Sequence, residues 1–510
     1  MSGHSEIEIK LTGNIDKLHA VIQSSKMAPF IRSLGERKYE TYYYDTKDNR
    51  LIKNNIVLRR RKLETNKNIL GLKWRNPNSS LFERGEFEVG INDEKIDLGK
   101  FGEIWNQKIS QIINDSEIAQ KFVIIVRREI YELRSGNAVI EICLDEGEIV
   151  TPNKTCAIKE IELELKHGEK LFLYDLAINF VEHLHLSIEL KAKAERGFLL
   201  EDDRLSKYFD NALGKPDNNI DPEKYIASSI NILAKQLSFR IKSLSDGVDP
   251  DDVHQIRVIL RRLRVIFSAL ARISSNDDFR QLNSDARQIA KLLGKVREYD
   301  VLEDLINAAP RNHINNDKYI DELIYGIKLE KDHSLEDLKI ITNEGIASIF
   351  ILRIERLLSK PGFLRSSDEK SVEIQPFTIK KISSFILTKI EKRIKKRGSK
   401  LKFLHDTELH QLRIDLKKLR YLTDLFMPIY DKKNVKEYIK HVVEIQDYLG
   451  AHNDIVNAEI LLLKISNNLS QSVQFTAGKI MGWHTCVSSS SSKKLLKKWR
   501  KFNSASQYWL

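Results

Sequence analysis

The apolar residues of this chain change period once, near Pro222, and that change restricts it to two folds in series. From residue 1 to about 203 the pattern repeatedly has period two, as in Glu86-Phe87-Glu88-Val89, Ala138-Val139-Ile140-Glu141-Ile142 and Glu160-Ile161-Glu162-Leu163-Glu164-Leu165. Short segments such as 14–26 and 169–185 break it with helical spacing, so an antiparallel α+β domain of about eight strands is expected. After Pro222 the period is 3.6, which predicts an all-α domain with breaks near 246–250, 274–277, 309–317, 361–376 and 428–433. Gly214, Pro216, Asp217, Asn218, Asn219, Asp221 and Pro222 punctuate the change, and 204–221 reads as a linker between domains 1–203 and 222–505. The serine run after Ser488 and the Lys- and Trp-containing sequence beyond it read as a solvated basic helix or a frayed end.

A chain of 510 residues is too long for one ordinary core, and 41% hydrophobic with 31% charged residues describes a soluble globular protein. The N-terminus lacks a basic-then-apolar leader and no apolar run reaches the roughly 18 residues that span a bilayer, so a cytoplasmic protein without membrane partners is expected. Cys143, Cys156 and Cys486 make neither a disulfide framework nor a zinc spacing. A net charge of +12 favours an anionic partner, and the placement of the charges narrows which one.

In Glu6-Ile7-Glu8-Ile9-Lys10 the strand period puts two carboxylates and an ammonium on one face, the carboxylates about 7 Å apart. Such a pair can hold a hard divalent cation, and the lysine can meet the phosphates that accompany it. Equivalent same-face sets recur at Arg59 and Arg61, at Arg84 and Glu86, at Glu141 and Asp145, and at Glu160, Glu162 and Glu164, with Lys73, Arg128 and Lys193 on or beside other strands. An open sheet has no place to bury so many like-facing charges, whereas a closed barrel can line a solvated lumen with them. Acids and bases interleaved in one lumen suit a metal-bound polyphosphate.

The helical half is internally duplicated. Val253-His254-Gln255-Ile256-Arg257 returns as Leu409-His410-Gln411-Leu412-Arg413, Leu293-Gly294 as Leu449-Gly450 and Glu298 as Asp454, all at an offset of 156. On a helix, His254, Arg257, Arg261 and Arg264 fall within roughly 80° of arc, opposite Ile256, Leu260, Leu263 and Phe267. His410, Arg413, Lys417 and Arg420 repeat that stripe in front of Leu412, Leu416 and Leu419. Two matched cationic stripes repel each other unless an anion or acidic side chains neutralise them, and a bound polyanion would do so. The stripes carry no interleaved aromatic platform, so a nucleic-acid partner is not expected.

HQIRVILRRLR with LLGKVREYD, and HQLRIDLKKLR with YLGAHNDI, resemble the CHAD domain over about residues 222–465. That resemblance implies two pseudo-symmetric helical bundles whose basic faces bind inorganic polyphosphate; Glu298 stands where aspartate is common. EIEIK, YYYDT, LRRRK, LGLKW, ERGEFEV, IEICLDEGE, KEIELEL and KAKAERGF resemble the CYTH superfamily of triphosphate tunnel metalloenzymes over about residues 4–200. This second resemblance implies an eight-stranded antiparallel barrel with Mg²⁺ or Mn²⁺ held by Glu6, Glu8, Glu160 and Glu162, Glu164 competing for one place. It assigns phosphate contacts to Lys10, Arg59, Arg61, Lys73, Arg128 and Lys193, and further substrate-side positions to Arg84, Glu86 and Asp145; Ala192 stands where serine is frequent. The fusion is similar to bacterial inorganic triphosphatases. It implies hydrolysis of triphosphate to pyrophosphate and phosphate, with polyphosphate on the helical half and polyphosphate granules as a place of association. A class IV adenylyl cyclase, a thiamine triphosphatase and a non-catalytic polyphosphate-binding protein are the alternatives.

Overall fold

A computed structural model of the protein describes residues 4–14, 16–22, 30–63, 67–75, 79–205, 221–246, 249–274, 276–310, 317–336, 338, 341, 345–365, 378–466, 469–489 and 492–510. Of the expected linker, residues 206–220 lie outside the described residues.

The strands are β1 (His4–Thr12), β2 (Ile31–Thr46), β3 (Ile56–Lys62), β4 (Asn68–Trp74), β5 (Glu83–Ile91), β6 (Ile118–Ser135), β7 (Ala138–Val150), β8 (Thr155–His167) and β9 (Ser187–Ile188). The helices are α1 (Asp16–Ile22), α2 (Arg50–Lys53), α3 (Glu103–Ile113), α4 (Lys170–Leu184), α5 (Lys193–Glu201), α6 (Pro222–Asp246), α7 (Pro250–Leu270), α8 (Asp278–Leu292), α9 (Gly294–Ala308), α10 (Asp317–Glu336), α11 (Ile346–Leu358), α12 (Ile379–Gly398), α13 (Asp406–Phe426), α14 (Lys432–Ser466), α15 (Gln471–Ser489) and α16 (Ser492–Asn503). Two compact units form: Met1–Lys215 with Ala234–Phe239 and Thr342–Pro361, and Pro216–Leu233 with Arg240–Ile341 and Gly362–Leu510.

In the first unit the strands run in the order β5-β4-β3-β2-β6-β7-β8-β1-β9, every pair antiparallel, and β1 also pairs with β5. That last pairing closes eight strands into the expected barrel, with β9 as a short addition beside β1. Alternation sorts the side chains: Ile7, Ile9 and Leu11 turn outward and are buried beneath α4, while Glu6, Glu8 and Lys10 turn inward. Leu58, Leu70 and Leu72 likewise pack outward with Phe101 and Ile109, which leaves Arg59 and Lys73 inside. α5 packs Ala194 and Phe198 against Tyr43, Phe122, Ile124 and Val126. Gly197 permits this close approach, since a Cβ there would lie 2.3 Å from the Phe122 ring.

The second unit is helical; along α6 to α14 the chain breaks at all five expected places, and it also breaks where none was expected, between α8 and α9, between α10 and α11 and between α12 and α13. Ile256, Leu260, Leu263 and Phe267 of α7 and Leu412, Leu416 and Leu419 of α13 are buried, as their stripe predicts. A core of Leu302, Ile306, Leu323 and Ile327 with Leu462, Ile465, Val473 and Ile480 joins helices from both repeats. The C-terminal segment departs from expectation. α16 buries Leu495, Trp499 and Phe502, and Trp509 donates from Nε1 to Thr388 Oγ1 at 3.0 Å. Its lysines solvate one side, but its aromatic side is core.

Candidate active site

The barrel encloses a cavity of about 270 Å³. Register builds its wall: Lys10 stands opposite Glu162 and Glu8 opposite Glu164 across β1 and β8, Asp145 opposite Glu160 across β7 and β8, and Arg128 opposite Asp145 across β6 and β7. Residues directly opposite share a face of the sheet, so these charges meet inside. Lys73 opposite Glu86, and Glu6 opposite Arg84, complete the wall on the other side of β1.

Asp145, Glu160 and Glu162 are buried, and each offers an oxygen within 4.8 Å of the other two. Lys193, at the start of α5, sits among them: its Nζ lies 2.6 Å from Asp145 Oδ2, 2.6 Å from Glu162 Oε1, and is ion-paired with Glu160. Arg128 Nε and Nη2 donate to Asp145 at 2.7 and 2.6 Å, and Nη2 also reaches Glu162. Arg196 pairs with Glu160. An all-oxygen set at this spacing fits a hard divalent cation with ligand distances of about 2.0–2.6 Å.

Along β1, Lys10 Nζ is 2.5 Å from Glu8 Oε2 and 3.2 Å from Glu162 Oε1, and Lys73 Nζ is 2.6 Å from Glu6 Oε2 and 3.2 Å from Glu86 Oε1. The two β1 carboxylates respond oppositely. Burial and the carboxylate of Glu162 push Glu8 up to about 7 against the pull of Lys10. Burial also raises Glu6, but the Lys73 ammonium overcomes it and brings the group down to about 2. Glu162 is buried too, yet Lys10, Lys193 and Arg128 together hold it well below the usual carboxylate range. Burial lowers Lys193, but Asp145, Glu160 and Glu162 overcome it and hold the ammonium above the usual lysine range.

Arg59 Nη2 donates to Glu86 and Glu88 at 2.7 and 2.8 Å, while Arg61 lies 5.1 Å from the centre of the Tyr39 ring. Arg59 Nε and Arg61 Nε are buried without a hydrogen-bond partner among the described residues. Unpaired guanidinium donors in an enclosed cavity suit an anion. Every residue expected in the barrel site faces the cavity except Glu160, which lies fully buried next to it, and Arg84 also donates to Leu190 O at 3.4 Å.

The structure adds Arg37, Glu88, Lys166, Arg75 and Glu195 to the lining. Arg37 shares the inward face of β2 with Tyr39, Thr41 and Tyr43, a period-two signal that is present in the sequence. Arg75 and Glu195 come from the ends of elements, where no period applies. Asp45 of YYYDT serves the fold, since it accepts from the backbone N–H groups of Thr46, Leu51 and Ile52 at 2.7, 2.9 and 3.0 Å and so fixes α2.

In the second unit α7 and α13 pack together, and their stripes converge. Burial, then Arg261 and Arg413, lower Lys417 to about 7; burial and Arg261 also lower Arg257 and Arg413. His410 Nδ1 is bonded to Asn453 Oδ1, Arg413 Nη2 lies 3.3 Å from Asp454 Oδ1, Arg264 Nε donates to Asn283 Oδ1 at 3.3 Å and Arg420 Nη1 to Gln446 Oε1 at 3.5 Å. His254 is exposed at the surface, and partial desolvation of its ring together with Arg297 lowers it.

Residues 4–198 match the model of the CYTH domain, and residues 232–463 that of the CHAD domain. Among solved structures the chain is similar to the CHAD domain from the plant Ricinus communis, at 19% identity over 55% of this chain and 92% of that one, with a TM-score of 0.46. It is similar to PptA from Streptomyces chartreusis at 13% identity over 55% and 99%, with a TM-score of 0.42. A putative adenylyl cyclase from Hippeastrum, HpAC1, described as having a dominant triphosphatase activity, aligns at 21% identity over 40% and 96%, with a TM-score of 0.26. The chain thus carries a CYTH domain over residues 4–198 and a CHAD domain over residues 232–463.

Proposed function

We propose that the barrel hydrolyses inorganic triphosphate to pyrophosphate and phosphate with a divalent cation, Mg²⁺ or Mn²⁺, and that the stripes of α7 and α13 bind polyphosphate. The observation that carries the first part is one enclosed wall bearing a buried carboxylate trio beside Arg and Lys donors. Asp145, Glu160 and Glu162 would hold the cation, with Glu6 and Glu8 nearby on β1. Bound there, such an ion supplies charge neutralisation for the phosphates and polarises a water. Arg59, Arg61, Lys73 and Arg128 bind the chain and stabilise charge on the leaving phosphates. Glu8, held at about 7 by burial and Glu162, is suited to accept a proton from the attacking water near neutral pH.

The test is phosphate release from triphosphate, ATP and thiamine triphosphate by the full chain, with cyclic AMP assayed in parallel. Glu8→Gln is expected to lower metal-dependent release from triphosphate by roughly 10²–10⁴-fold, the range of a lost general base. Undiminished release sinks the assignment; cyclic AMP from ATP favours a cyclase; faster turnover of thiamine triphosphate shifts the substrate. For the helical unit, charge reversal at Arg257 and Arg413 is expected to weaken polyphosphate binding and flatten its salt dependence. Polyphosphate binding without any turnover would leave a binding protein.

A further inference from the structure

The strand pair that closes the barrel carries Glu6, Glu8 and Lys10 on β1 and Arg84 and Glu86 on β5. α11 touches both flanks of this seam. Ser80 Oγ donates to Glu355 Oε2 at 2.6 Å and the Leu81 N–H to Oε1 at 3.4 Å, just before β5 begins. The Ile188 N–H donates to Ser348 Oγ at 3.0 Å, and Ile188 pairs with Leu11 of β1 through β9. Ser348 and Glu355 are seven residues apart, two helical turns, so one side of α11 makes both contacts.

The helix is fixed independently on α4. Arg356 forks onto Asp175 at 2.6 and 3.1 Å, and Gly345, at φ +65°, leaves no room for a Cβ, which would lie 2.5 Å from Val181 Cγ1. Residues 346–358 nevertheless fall inside the stretch that matches the CHAD domain.

We propose that α11 clamps the closing seam of the barrel and that Glu355 is a positioning residue for β5, setting the reach of Arg84 and Glu86 into the cavity. The clamp stands on geometry alone; its consequence for triphosphate rests on the function proposed above. Glu355 is 1% exposed. The groups that face it are the Ser80 hydroxyl, which also meets Tyr174 Oη at 3.2 Å, the Leu81 amide, Glu83 and Lys170. Burial, reinforced by Glu83 and opposed by Ser80, Leu81 and Lys170, brings the carboxyl up to about 7. Being raised, it contributes stability at low pH that is lost as pH climbs from the ordinary carboxylate range to about 7. Burial therefore favours the protonated carboxyl even though Ser80 and Leu81 donate to the ionised one; its hydroxyl can turn to Ser80 Oγ while its carbonyl oxygen accepts from Leu81, and glutamine imitates that state.

Amide hydrogen exchange of the full chain, without substrate, tests this between pH 5.5 and 8, corrected for intrinsic rates. Glu355→Ala is expected to speed exchange of β5 and β1 about tenfold while β6 and β7 keep their rates, a local opening. Glu355→Gln should keep seam protection and lose the pH dependence of the parent. Calorimetric binding of triphosphate with Mg²⁺ should weaken in the alanine variant and recover in the glutamine variant. Uniform loss of protection over all strands, an unaffected seam, or an unchanged pH dependence in Glu355→Gln would overturn the clamp. A clamp seen in exchange with no triphosphate binding by any form, parent included, would leave it standing and count against the proposed substrate instead.

Discussion

Lys193 occupies the position among Asp145, Glu160 and Glu162 that a cation would take. Lys193→Met removes the central counter-charge of three buried carboxylates, and breaking a buried pair in this way costs about 3–5 kcal/mol. Thermal unfolding in chelator should show that loss, and Mg²⁺ or Mn²⁺ should restore the variant more than it raises the parent. A loss that no metal repairs would exclude the trio as a cation site. The two glutamates of that trio are legible from period two, whereas the lysine is legible only through the resemblance carried by KAKAERGF. Asp145 joins them through the β7–β8 register, a pairing between distant residues that a sequence does not spell out. Lys417 makes the corresponding case in the helical unit. Lowered to about 7 by burial, Arg261 and Arg413, it is largely neutral at pH 8. Unliganded stability should therefore rise as pH climbs from about 7 toward the ordinary lysine range. A bound polyanion favours the charged form, so binding of polyphosphate at pH 8 should take up protons, by at most about one from this group. Calorimetry in buffers of different ionisation enthalpy reads that uptake, and Lys417→Met should diminish it.

Strands were the most legible elements, because Ile7, Ile9 and Leu11 must alternate with Glu6, Glu8 and Lys10 wherever one face is core. Elements whose placement depends on partners were less so. α16 has a lysine-rich composition that resembles a solvated helix, yet Trp499 lies against Gly398, where a Cβ would be 2.0 Å from the indole. The aromatic residues alone gave no indication of which surface they would meet. α5 has the same character: its sequence is a plain helix, and its importance comes from the fit of Gly197 on Phe122. Gly197→Val forces branched carbon into that contact, and overpacking of this kind costs about 1–3 kcal/mol. The urea midpoint of the barrel should fall accordingly, followed by a probe confined to the first unit. An unchanged midpoint would mean that Phe122 turns aside and that α5 does not fix this end of the cavity.

At the scale of the molecule, one chain forms two compact units, and the sequence boundary between the period-two and period-3.6 halves is not the same as the boundary between them. The hydrophobic period reports local structure, so it correctly read 346–358 as helix; it is blind to the fact that this helix groups with the barrel unit. Two cores imply that unfolding need not be a single transition. A ligand stabilises only the unit it binds, by about 2.7 kcal/mol at a hundred times its dissociation constant. Scanning calorimetry should then resolve two transitions. Triphosphate with Mg²⁺ is expected to raise one of them, and that shift should disappear when Arg59 and Arg61, which bind the phosphate chain, are both replaced by glutamine. Long-chain polyphosphate is expected to raise the other, and that shift should disappear when Arg257 and Arg413 are both reversed in charge. Glu355→Ala separates the sequence boundary from the physical one: although residue 355 lies within the CHAD match, its loss should lower the transition that triphosphate raises. If it lowered the polyphosphate-sensitive transition instead, α11 would belong energetically to the helical unit, as the sequence order alone suggests.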